Sequence, residues 1–246
     1  AKPIKGVDNL EVINLDPLEA AHNYKESVVA PFRGKLPDSV IESMEEQLSG
    51  SCTVEIAAFN EFSNFITNSK LNTDYSHIIF DTAPTGHTLR MLQLPSAWTD
   101  FISKSTHGAS CLGQLSGLEA KKEIYKKAVE NLSDKSLTTL VLVTRPDKTP
   151  LNEVARASKE LSEIGIKNQI LVINGILEKY DDDLSESIFN KQKLALENMP
   201  DILTEFDTYT IALRSYNITG IDSIRNLLKK DQINEQKVEV EGKLFN

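Results

Sequence analysis

The sequence has few cysteines, little basic charge and no long apolar run. Two cysteines among 246 residues are too few for the disulfide framework of a small secreted domain. No stretch approaches the ~18 consecutive apolar residues of a membrane-spanning helix. With 27 Lys and Arg against 36 Asp and Glu, the net charge of −9 argues against a nucleic-acid-binding surface. We therefore expect a cytoplasmic protein that does not bind nucleic acid.

The order of hydrophobic patterns predicts an α/β fold. Short apolar runs of strand character alternate with stretches of helical periodicity, which favours a mostly parallel, doubly wound sheet. The predicted strands are 10–15, 77–80, 140–144, 169–173 and 208–213. The predicted helices are 18–30, 37–48 with Gly50 as its C-cap, 53–67, 149–165 with Thr149 as its N-cap, 181–198 and 221–228. We expect a single domain over 1–246, with a polar lead-in at 1–7, a mobile loop region at 98–117 and a polar tail at 229–246.

The most informative stretch is 80–88, which reads Phe-Asp-Thr-Ala-Pro-Thr-Gly-His-Thr. It joins the predicted strand at 77–80 to an apolar, helix-like segment. Ligands of open α/β sheets bind at such strand-to-helix loops, beyond the carboxyl ends of the strands. An acid at that place can hold Mg²⁺ beside the phosphates of a nucleotide, which makes Asp81 the candidate magnesium ligand. A plain strand-to-helix connection is the alternative that the residues leave open.

The heptad that begins at Asp81, followed by Thr-Leu-Arg-Met-Leu-Gln-Leu-Pro, resembles the arsenical pump-driving ATPases of the anion-transporting ATPase family. The resemblance extends from Leu15-Asp16-Pro17 to Thr219-Gly220-Ile221 and is closest to the amino-terminal half of the tandem bacterial members. It implies a deviant P-loop NTPase fold, ATP and Mg²⁺ as cofactors, and Asp81 as a catalytic residue. It also implies that the heptad is the switch segment that couples nucleotide state to the ligand site. The switch residues are Asp81, Thr82, Ala83, Pro84, Thr85, Gly86 and His87.

The two cysteines are candidate ligands for a metalloid. Cys52 opens a predicted helix, where free N–H groups and the helix dipole favour the thiolate that binds soft, thiophilic As(III) or Sb(III). Cys111 lies in a glycine-flanked stretch, Gly-Ala-Ser-Cys-Leu-Gly. Spacing alone favours two small buried side chains. The resemblance instead implies a metalloid site formed by Cys52 and Cys111, with His87 belonging to both the switch and that site.

Two further features concern the nucleotide. Asn174 ends the predicted strand 169–173, and the resemblance implies that it contacts the adenine ring; a simple turn before Gly175 is the alternative. A hydrolysing member of this family needs a glycine loop that ends in Gly-Lys-Thr or Gly-Lys-Ser. Neither tripeptide occurs, and Gly34-Lys35 is followed by Leu36. We expect the P-loop strand to lie upstream of Ala1, so that this chain alone is inactive as an ATPase.

The resemblance implies the catalytic ATPase subunit of an arsenite or antimonite efflux system. Its partners would be an integral membrane arsenite pump and a second ATPase half or a second copy, and it could sit peripherally at the inner face of the membrane. Three alternatives remain open. They are a tail-anchored-protein targeting ATPase, a partitioning or metal-insertion ATPase, and an inactive fragment. The absence of a Cys-x-x-Cys zinc pair and of a Met-rich groove counts against the targeting function.

Overall fold

The structure is a computed structural model that describes residues 1–82, 122–178 and 180–229. The strands are β1 (Lys2–Pro3), β2 (Glu11–Val12), β3 (Leu140–Thr144), β4 (Gln169–Ile176) and β5 (Thr208–Ala212). The helices are α1 (Pro17–Val29), α2 (Asp38–Gln47), α3 (Ser51–Thr67), α4 (Ser69–Asp74), α5 (Lys122–Ser133), α6 (Lys148–Glu163), α7 (Asp183–Glu197), α8 (Asp201–Thr204) and α9 (Gly220–Asn226). The 3-10 turn Ala30–Phe32 follows α1.

A parallel sheet in the order β3-β4-β5 confirms the predicted α/β architecture. Its strands are joined through α6 and α7, as the alternation of patterns predicted. Leu142, Leu171 and Thr208 lie side by side across the three strands. Parallel strands need such helical crossovers, because the chain must return to the same end of the sheet before each new strand begins.

One face of this sheet forms a core with the crossover helices. Helices α6 and α7 pack on the same face, which is what two right-handed crossovers that advance in the same direction would give. Leu142 and Leu171 are buried there with Leu151 of α6, and residues of α7 pack against this cluster. Side chains on the opposite face are much more accessible: Val143 and Tyr209 are each 59% exposed.

Helix α3 lies between two further hydrophobic clusters. Ile56 and Ala57 pack with residues of α1 and α2. Phe59 and Phe62 pack with Tyr125 of α5 and with buried residues of and just after α6. Because α3 contributes to both clusters, it connects the amino-terminal helices to the layer that covers the sheet.

Two predicted strands differ in the structure. In the stretch 10–15 only Glu11–Val12 forms a strand, and it pairs antiparallel with β1, so the stretch 1–7 is not simply a polar lead-in. No strand forms at 77–80, where Ile79 is 90% exposed. An apolar run becomes a strand only where a neighbour accepts its backbone hydrogen bonds, and none does so at 77–80 within the described residues.

Two predicted caps were also wrong. Leu48 caps the end of α2, and Gly50 is instead the N-cap of α3. Helix α6 begins at Lys148 with Asp147 as its N-cap, two residues ahead of the predicted N-cap at Thr149. Pro150 fits within that first turn, because N–H groups there have no helical acceptor.

We expect Leu171→Ala to lower the free energy of unfolding by about 2–5 kcal/mol, because it opens a cavity in the centre of the sheet's covered face. Leu171 has no exposed surface. The matched change Val143→Ala, on the exposed face, should change it by less than about 0.5 kcal/mol. Urea denaturation measures both. Equal losses would mean that a further layer covers the exposed face, contrary to this description.

Candidate functional site

The candidate site lies where β3, β4 and β5 end. Asn174 is exposed in β4 and pairs with Ile211 of β5. The register shifts between Asn174 and Ile176, with Gly175 at a φ of +86°. The strand therefore does not end at Ile173 as predicted, because pairing with β5 resumes beyond the irregularity. This bulge leaves the Asn174 side chain accessible at the carboxyl edge of the sheet.

Arg145 was missed by the sequence analysis. It follows β3 directly and is exposed. A Cβ built on Gly175 would lie 3.8 Å from Arg145 Nη2, so the guanidinium lies beside the bulge. A guanidinium suits the recognition of phosphate, because it is always charged and presents a planar set of donors. The sequence signal that could have identified Arg145 was its place immediately after a buried strand, at the carboxyl edge of the sheet where ligands bind.

Helix α7 holds the chain that leaves β4. The Leu177 N–H donates to Gln192 Oε1 at 2.9 Å, and Gln192 Nε2 donates to the Gly175 carbonyl at 3.1 Å. The adjacent Lys191 pairs with Asp147, at the start of α6, at 2.6 Å. Two neighbouring residues of α7 therefore contact the segments that follow β3 and β4.

The structure describes only the beginning of the switch segment. Asp81 and Thr82 are exposed and directly follow Phe80, whose ring centre lies 5.0 Å from that of Phe62 on α3. Ala83, Pro84, Thr85, Gly86 and His87 lie outside the described residues. Because 77–80 is not paired in the sheet, the position of Asp81 at the carboxyl edge stays a prediction.

Cys52 lies in the first turn of α3, as the sequence predicted. Its side chain, and all of Cys111, lie outside what the structure describes. The structure therefore supports the helix-start environment of Cys52 and does not test the predicted grouping of Cys52 with Cys111 and His87.

Comparison with known proteins identifies the family. The family model described as anion-transporting ATPase matches residues 1–232. The chain belongs to this family. It is 50% identical to an arsenical pump-driving ATPase of Acidiphilium multivorum over 230 residues, 92% of this chain and 40% of that protein. It is 48% identical to one of Escherichia coli over 232 residues, again 40% of the relative. The ATPase GET3 of Lodderomyces elongisporus is 28% identical over 257 residues, 93% of this chain and 73% of that protein.

The chain thus spans about 40% of the length of the arsenical pump-driving ATPases that it matches. Its described residues fit the nucleotide that the family name implies. Asn174 offers an accessible amide that can both donate to and accept from a purine edge. Arg145 supplies a cation beside Gly175, and Asp81 supplies an exposed carboxylate of the type that holds Mg²⁺ with waters and phosphates.

Neither a ready-made metal cluster nor a membrane span is found in the described part of the chain. No three His, Cys, Asp or Glu side chains there are grouped as ligands for one ion. No helix of 1–82, 122–178 or 180–229 has both the length and the apolar character to cross a bilayer.

A buried polar contact joins α3, which carries Cys52, to α5, the first helix described after Cys111. The Tyr125 hydroxyl donates to Asn60 Oδ1, and Asn131 Nδ2 donates to the Ile66 carbonyl at 2.8 Å. Burial raises the pKa of Tyr125 above its ordinary value. These bonds fix the pairing of the two helices, because a misaligned pairing would leave buried polar atoms unsatisfied.

Tyr125→Phe should lower the free energy of unfolding by about 1–3 kcal/mol at pH 7, because Asn60 Oδ1 loses its donor. The contribution of the Tyr125 phenol to stability depends on pH. Because its pKa is raised, the folded state favours the neutral phenol, so the phenol's contribution to the free energy of unfolding is complete below about pH 10 and is lost as the pH rises further. The variant should therefore lose less stability than the parent between pH 9 and about 11.

Tyr216→Phe is the matched control, since Tyr216 is 39% exposed. Urea unfolding across that pH range measures all three proteins. If the free energy of unfolding of Tyr125→Phe fell as steeply with pH as that of the parent, the burial of the Tyr125 phenol would not explain the alkaline loss of stability.

Proposed function

We propose that this chain is part of the catalytic ATPase subunit of an arsenite or antimonite efflux system, which energises an integral membrane pump. The observation that carries the proposal is the switch heptad at 81–87, within a chain that is 48–50% identical to arsenical pump-driving ATPases. The arrangement of polar groups at the carboxyl edge of a parallel sheet is consistent with it.

The nucleotide would be held along that edge. Asn174 would hydrogen-bond the adenine ring, Arg145 would attract the phosphates, and Asp81 would hold Mg²⁺ directly or through water. Bound ATP supplies the phosphoryl group, and Mg²⁺ neutralises charge that develops during its transfer. The role of this chain is to orient these groups and to supply fixed charge, since positioning and electrostatics account for most of that catalysis.

The metalloid would be held by Cys52 and Cys111 with His87, and a second ATPase half or a second copy would complete the site. Stimulation of hydrolysis would follow if As(III) or Sb(III) binds the closed, nucleotide-bound state more tightly than the open one. A targeting function for tail-anchored proteins has no comparable support, because the chain has only two cysteines and they do not form a Cys-x-x-Cys pair.

The 246 residues alone should hydrolyse ATP negligibly, because they contain neither Gly-Lys-Thr nor Gly-Lys-Ser to hold the transferring phosphoryl group. Joining the chain to a segment of a relative that bears this loop should restore turnover. In the joined protein, Asp81→Asn should lower kcat by about tenfold or more through weakened Mg²⁺ binding. Asp74→Asn, an exposed acid outside the switch, is the control. Robust turnover by the 246 residues, or an active Asp81→Asn, would overturn this assignment.

In the joined protein, Cys52→Ser and Cys111→Ser should each weaken arsenite binding by about tenfold or more, because a thiolate is the strongest ligand that a protein offers to a soft metalloid. His87→Ala should weaken it less. His77→Ala is its control, since His77 is exposed and, within the described residues, its ring contacts the hydroxyl of the adjacent Ser76. Bound arsenic is measured by equilibrium dialysis with Mg-ATP present. Undiminished binding by both serine variants would make the cysteines structural and remove the metalloid part of the proposal.

A further inference from the structure

The Gln192 side chain bonds the backbone of Gly175, in the bulge of β4, and of Leu177, which directly follows the strand. Its Oε1 accepts from the Leu177 N–H, and its Nε2 donates to the Gly175 carbonyl. A primary amide can donate to a carbonyl with its nitrogen while it accepts from an N–H with its oxygen. The side chain therefore substitutes for a strand neighbour at the point where the ladder with β5 is irregular.

The bulge needs such support for a specific reason. Gly175 adopts a φ of +86°, and the register shifts across it. Ladder bonding is interrupted at a bulge, which leaves this part of the backbone with fewer bonds to hold its direction. Beyond it, the Leu213 N–H donates to the Ile176 carbonyl at 2.8 Å. With the Gln192 pair added, the backbone from Gly175 to Leu177 has hydrogen-bonded neighbours.

Asn174 depends on the same backbone, since it directly precedes Gly175. A change in the direction of the peptide after Asn174 would move its side chain relative to the rest of the carboxyl edge. Lys191, the neighbour of Gln192, pairs at the surface with Asp147 at the start of α6. Helix α7 thereby contacts both the end of β4 and the segment just after β3, where Arg145 lies.

We infer that Gln192 is a positioning residue for nucleotide selection: by holding the Gly175–Leu177 backbone, it sets the orientation in which Asn174 meets a purine ring. This inference rests on the proposed nucleotide role of Asn174. Gln192 itself need not touch the nucleotide. Its contribution is selectivity between adenine and guanine, because a misplaced amide cannot match the donor and acceptor pattern that distinguishes the two bases.

The test uses three variants of the full chain. Gln192→Met keeps the length of the side chain and removes both hydrogen bonds. Gln192→Glu keeps an acceptor for the Leu177 N–H and loses the donor to Gly175. Lys193→Met is the control, since Lys193 is the next residue of α7, is 61% exposed and, within the described residues, forms its ion pair with Glu197 at 3.9 Å.

The first readout is hydrogen exchange at the Leu177 amide, which requires no ligand. Exchange should be about tenfold faster in Gln192→Met, and close to the parent rate in Gln192→Glu and Lys193→Met. Unchanged protection in Gln192→Met would overturn the inference at its structural step.

The second readout is the preference for Mg-ATP over Mg-GTP, measured by direct binding to the same proteins. Gln192→Met should reduce the preference by up to about tenfold, the value of one net hydrogen bond. Asn174→Ala should do the same, and the double variant should be no worse than Asn174→Ala alone, because both act through one contact. Additive losses, or a full preference in Gln192→Met, would overturn the inference while leaving the nucleotide role of Asn174 intact. A parent chain without any preference, or an Asn174→Ala variant that keeps it, would overturn both.

Discussion

The arrangement of the candidate site depends on β4, which is hydrogen-bonded on both sides. Its pairing with β3 and β5 places the ends of all three strands at one edge. The start of β4 is fixed as well: Gln169 is buried, accepts from Ser158 Oγ and donates to Ser162 Oγ and to the Ser158 and Ile166 carbonyls. Glutamine amides thus hold both ends of this strand, Gln169 to α6 and Gln192 to α7. In such a frame, the polar groups beyond the strands keep their relative positions without a ligand.

The helical layer imposes a second constraint, centred on α3. Its apolar residues divide between two clusters, and Asn60 adds a buried hydrogen bond to α5. Cys52 stands at the start of this helix. A displacement of Cys52 therefore moves a helix that packs against α1, α2 and α5 together. A small displacement there cannot be absorbed locally, since close-packed interiors transmit strain. This is the physical route by which a metalloid at Cys52 could affect the rest of the domain.

Much of the sheet was predictable because β3 and β4 are short apolar runs separated by a strongly amphipathic helix. The stretch 77–80 has an equally apolar sequence but lacks a bonded neighbour in the described residues, and composition cannot reveal that. Gly50 was assigned to the wrong helix end, since a glycine between two helices suits either role. Gln192 was missed because its importance comes from tertiary contacts, with partners 15 and 17 positions away. For Arg145 the sequence offered one signal, its place directly after a buried strand. Sequence patterns identified the three strands of the parallel sheet, while the contacts between their ends required the structure.

The central claim is that nucleotide binds at the carboxyl edge formed by β3, β4 and β5. The most direct measurement is an NMR titration of the isotope-labelled chain with Mg-ATP, which detects even weak binding residue by residue. The account predicts the largest amide shifts at Arg145, Asn174 and Leu177, and little change at Thr139, Asn168 and Asp207, which precede the same strands. Shifts concentrated at that opposite edge, or none at Arg145 and Asn174 at saturating Mg-ATP, would contradict it.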